Sequence, residues 1–111
     1  MKKSASLFAG LLLTLSSAVA ISEDQVSAAL SHANAAVEHG KLGHAPVLFE
    51  HAKLALDNAL AGSLVAKGKS KNHLDAAAKS LQVAIDHAAL GHAEVATKAA
   101  EEAVEHIKAS K

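Results

Sequence analysis

His32, His39, His44, His51, His73, His87, His92 and His106 are the residues of this chain best equipped for chemistry. A neutral imidazole is a good ligand for divalent transition metals, and it changes charge near neutral pH. Their spacing is regular. His39 and His44 flank the glycine-broken stretch EHGKLGHA (38–45), and His87 and His92 flank DHAALGHA (86–93), 48 residues later. His32 precedes His39 by seven residues, and His51 follows His44 by seven. On a helix, seven residues return to nearly the same face about 10.5 Å further along. Imidazoles that far apart cannot share one ion, because metal–nitrogen bonds are about 2 Å long. Any shared site must therefore cross between helices.

The elements able to make that crossing are helical. Alanine is abundant, Pro46 is the only proline, and β-branched runs are missing, so summed propensity favours helix. Ser22 and Gln25 form a capping box that opens a first helix, with an apolar seam at Val26, Leu30, Ala33 and Val37. Gly40 and Gly43 stop it. Pro46 suits the first turn of a second helix, whose seam is Leu48, Ala52, Ala55 and Ala59. Residues 62–71, with Gly68 inside the run Lys67, Lys69 and Lys71, read as a solvated linker. Asn72, with Asp75 three residues on, caps a third helix with the seam Leu74, Ala78, Leu81 and Ile85. The fourth carries Ala96, Ala100, Ala103 and Ile107. The pattern predicts an all-α, up-down-up-down four-helix bundle made of two helical hairpins, 22–61 and 72–109. Residues 32–61 laid on 80–109 agree at ten of 30 positions, so the hairpin is a repeat.

In an antiparallel hairpin, residues at one level have numbers with a constant sum. His39/His44 and His32/His51 share the sum 83, and His87/His92 and His73/His106 share 179. Every histidine thus has a partner on the neighbouring helix. The rungs without histidine pair as well, Gln25 with Asn58 and Ser80 with Ala99. Counted from the seams, the histidines fall on one flank, which predicts a partly exposed groove between helices. The turns share one end of the bundle, so His39, His44, His87 and His92 either form one cluster or lie in two grooves that face apart. Glu38, Glu50, Asp86 and Glu105 each immediately precede a histidine, and Glu102 lies one turn before His106. These five carboxylates are candidate auxiliary or bridging groups.

Composition narrows the function. Lys2 and Lys3, the apolar run Leu7 to Leu15 and Ala18-Val19-Ala20 form the pattern of a cleaved signal peptide over residues 1–20. The mature chain would be one periplasmic domain of 91 residues (21–111), a monomer with no membrane anchor. It would carry nine lysines against 11 acidic groups, no arginine, no cysteine, and Phe49 as its only aromatic. That leaves no basic stripe or stacking platform for nucleic acid and no disulfide. No nucleophile–base constellation points to an enzyme. With no thiol and no methionine after cleavage, Cu(I) is a poor guest, whereas imidazole with carboxylate or water suits Cu(II), Ni(II) and Zn(II). The Irving–Williams order puts Cu(II) first.

EHAKLALDNA (50–59), AIDHAALGHAEVATKAAEEAVEHIKAS (84–110) and the heptad-spaced histidines resemble the small metal-binding protein family. The resemblance covers nearly all of the mature chain. It implies an exported histidine-rich bundle that binds several divalent ions, Cu(II) above others, for periplasmic metal handling. The ligand pattern maps onto the eight histidines, and the chain departs from it at Asn58, Ser80 and Ala99. The contrasting expectation is a helical envelope or interaction module whose histidines respond to pH without metal.

Overall fold

The computed structural model describes residues 18–111, with side chains described from Asp24 onward. Four helices follow in order: α1 (Ala18–Lys41), α2 (Ala45–Val65), α3 (Gly68–Ala89) and α4 (Ala93–Ser110). Each packs on its neighbour in sequence, and α1 also packs on α4, which closes an up-down-up-down bundle. The signal segment expected over 1–20 lies outside the described residues apart from its last three, which begin α1. The helix therefore runs through Ser22 and does not start there, because Ala18-Val19-Ala20 continues it upstream.

The two hairpin turns are near-copies. The His44 N–H donates to His39 O at 2.9 Å and the Gly43 N–H to Gly40 O at 2.9 Å. In the second turn the His92 N–H donates to His87 O and the Gly91 N–H to Ala88 O, both at 2.9 Å. Gly43 and Gly91 both have φ 79°. This is the Schellman ending, in which a left-handed residue lets two N–H groups fold back on the last carbonyls. Such a motif brings together the side chains five positions apart that bracket it, and an apolar contact often fills that place. In this chain both places hold histidine pairs.

The core is built mainly from alanine. Ala29, Ala33 and Ala36 of α1, Ala52, Ala55 and Ala59 of α2, and Ala96, Ala100 and Ala103 of α4 are fully buried. Leu48, Leu74, Leu81 and Ile107 are the largest fully buried side chains. The seams read on α2, α3 and α4 are all buried, but the face of α1 is rotated. Ala29, Ala33, Ala36 and Gly40 point inward, while Val26, Leu30 and Val37 are half-buried along its edges. Helices lined by small residues approach closely, and the larger aliphatics then flank the contact. Gly40 shows how close: an added Cβ would run into Thr97 Oγ1 and stand 2.6 Å from Leu48 Cδ1.

The linker expected over 62–71 shrinks to Ala66 and Lys67. Gly62 and Ser63 are helical and buried, because Val26 and Leu74 occupy the space beside Gly62. α3 starts at Gly68 behind Lys67, so Asn72 lies inside the helix and does not cap it. Lys71 extends back to Ser63, donating to its carbonyl at 3.2 Å and its hydroxyl at 3.1 Å, and pairs with Asp75 at 3.9 Å. Lys71 thus fastens the α2–α3 corner.

Candidate metal centre

All four histidine pairs face each other across their hairpins. His32 and His51 place their Nδ1 atoms 3.2 Å apart, and His73 and His106 place theirs 3.3 Å apart. His39 and His44 have ring centroids 6.0 Å apart, and His87 and His92 5.8 Å. The inner pairs are set by the Schellman turns, the outer ones by the face that returns after seven or 14 residues. His44 and His92 are exposed at the turns, and the other six are half-buried in the grooves.

The spacing of the outer pairs fits an ion between them. Two nitrogens held 2.0–2.1 Å from one ion, with an angle of about 90–110° between the bonds, stand about 2.8–3.4 Å apart. Both measured separations fall in that interval. In the metal-free pair the same distance accommodates a hydrogen bond in which one ring donates and the other accepts. The inner pairs give a second indication. Nδ1 of His39 and Nδ1 of His87 are buried and have no hydrogen-bond partner. A buried polar nitrogen without a partner costs about 1–3 kcal/mol, so its repetition at equivalent positions calls for a reason. Each is a nitrogen whose lone pair or proton no protein group satisfies.

A contact not expressed by the constant-sum rule joins two rungs. His39 stacks on His51 at 5.6 Å with planes 9° apart, and His51 stacks on His32 at 5.4 Å. Pairing by level assigns His51 one partner, whereas it lies between two. Its pKa is lowered, first by burial, then by the neighbouring His32 and His39, with Glu50 acting in the opposite direction. At His51 the surroundings therefore favour the neutral, metal-competent imidazole.

Among the described residues, no three histidine or carboxylate side chains converge as a ready metal cage. The four turn histidines do not merge into one cluster, because each turn closes on its own hairpin. Glu38, Glu50, Asp86, Glu102 and Glu105 are exposed. Asp86 accepts from Gln82 at 3.0 Å, and Glu102 accepts from the Ser80 hydroxyl at 3.3 Å. Each pair thus brings together two imidazoles and no carboxylate among the described residues. No described helix is long and apolar enough to cross a membrane.

The family model described as small metal-binding protein matches residues 1–110. No curated protein matches the chain.

Proposed function

The chain belongs to the small metal-binding protein family, and from that premise we propose that it is an exported, periplasmic, non-catalytic carrier of divalent transition metal, Cu(II) foremost. His32/His51, His39/His44, His73/His106 and His87/His92 are its ligand pairs, and Ni(II) and Zn(II) are weaker guests. The observation that carries this reading is the pair of buried, partnerless Nδ1 atoms at His39 and His87. It is supported by outer-pair nitrogens spaced as ligands of one ion are. Two-imidazole sites with open positions load and release ions readily, which suits buffering, sequestration and tolerance better than a closed structural site. Because only neutral imidazole binds, affinity falls on acidification.

The test is a Cu(II) titration of metal-free protein near neutral pH by calorimetry, with electron paramagnetic resonance of the bound ion. Two to four ions with nitrogen-coupled signals are expected. Within one pair, the loss of binding for His39→Ala/His44→Ala is expected to be no larger than for either single change, because one ion uses both rings. Binding no tighter than that of free histidine overturns the proposal.

A further inference from the structure

We infer that the two hairpins load metal differently: the first is a coupled two-ion unit joined through His51, and the second holds two independent one-ion sites. This rests on the reading that the histidine pairs are the metal ligands. The observation behind it is the order of the rungs. In the first hairpin the rings follow without a gap, His44 to His39 at 6.0 Å, His39 to His51 at 5.6 Å and His51 to His32 at 5.4 Å. In the second, His87/His92 and His73/His106 are each in contact, but among the described residues no ring contact joins the two pairs. The 14 residues from His73 to His87 span about 21 Å of helix. The rung between them is Ser80 and Ala99, both nearly buried, and the Ser80 hydroxyl is bonded to Glu102. Neither residue offers an imidazole.

Two consequences follow from spacing alone. Ions on adjacent rungs of the first hairpin stand about 10.5 Å apart, and ions on the second about 21 Å apart. Both distances exceed a Debye length of about 8 Å, so repulsion between the two ions is weakened on either hairpin and is nearly gone at the longer spacing. The magnetic dipole interaction between two Cu(II) ions falls with the cube of distance, so it is about eightfold weaker in the second hairpin at these helix spacings. His51 adds a path. Its ring lies beside both His32 and His39, so an ion released by the His32/His51 rung meets the His39 ring next without leaving the groove. An ion in the second hairpin has to leave its groove to change rung.

Two full-length variants isolate the hairpins. His73→Ala/His87→Ala leaves only the first hairpin with intact pairs, and His32→Ala/His39→Ala leaves only the second. The four positions are half-buried, and alanine favours helix, so circular dichroism is expected to show unchanged helix content. Each variant is loaded with one and then two equivalents of Cu(II), and its electron paramagnetic resonance spectrum is recorded. The first-hairpin variant is expected to show dipolar broadening at two equivalents that is absent at one. The second-hairpin variant is expected to keep the same line width at both loadings. Equal behaviour of the two variants, or a first hairpin that accepts a single ion, overturns the inference and leaves the proposed function standing. Failure of both variants to bind Cu(II) overturns the proposed function and this inference together.

Discussion

At the scale of single residues, the glycines of the turns divide into two kinds that substitution can separate. Gly43 has φ 79° and nothing within 4 Å of an added Cβ, so its alanine variant suffers backbone strain alone. A left-handed L-residue costs about 1–2 kcal/mol. Gly40 is instead part of the α1 helix, and its alanine variant meets Thr97 Oγ1 and Leu48 Cδ1. Thr97 cannot easily turn aside, because its hydroxyl donates to Ala93 O at 2.6 Å. Overpacking of this kind costs about 1–3 kcal/mol. The two are distinguished by a second change. Thr97→Ala is expected to recover part of the urea midpoint lost in Gly40→Ala and none of that lost in Gly43→Ala. Equal recovery in both backgrounds would show that the α1–α4 contact is not what Gly40 serves.

At the scale of elements, the first hairpin responds to acid through His51. Burial and the proximity of His32 and His39 lower its folded-state pKa. The unfolded chain, with a value near 6.5, therefore takes up the proton more readily. Stability from this group is present above about pH 6.5 and is lost as pH falls below it. Metal-free protein is expected to show a declining urea midpoint between pH 7 and pH 5.5, with a flatter profile for His51→Asn; parallel profiles would remove His51 as the cause. The hairpin's geometry was partly legible in the sequence. Constant sums in the numbering bring His32 to His51 and His73 to His106, since a short turn fixes antiparallel register. The same rule is blind to the His39–His51 stack, because level pairing ignores the diagonal neighbour on the next rung, about two turns away. Hydrophobicity identified the buried faces of α2, α3 and α4 but favoured Val26, Leu30 and Val37 on α1. There the deciding quantity is smallness, which sets how near two helices can come. Gly62 and the lysine run suggested a linker on composition; packing against Val26 and Leu74 and the bonds from Lys71 to Ser63 override it.

At the scale of the whole molecule, an alanine core makes stability depend on few side chains, and the proposed metal sites would add to it. Alanine buries little apolar area, so Leu48, Leu74, Leu81 and Ile107 carry a large share of the apolar burial. Leu81, fully buried in α3, is expected to cost about 2–5 kcal/mol when truncated to alanine. That is a substantial part of the about 5–15 kcal/mol typical of a whole domain. Ligands that bind only the folded state repay such losses by mass action, about 2.7 kcal/mol per site at a hundredfold excess over Kd. On the proposed function the histidines brought together from two helices are such folded-state sites, most clearly His32/His51 and His73/His106, which lie far apart in the unfolded chain. Leu81→Ala is therefore expected to melt well below the parent when metal-free. Cu(II) in hundredfold excess over Kd is expected to raise its melting temperature by roughly 10–20 °C per occupied site, and a chelator to reverse the gain. The same variant carrying His32→Ala, His39→Ala, His73→Ala and His87→Ala breaks every pair and is expected to gain nothing from Cu(II). A rescue that persists without the pairs would show that copper stabilises the bundle elsewhere than in the grooves.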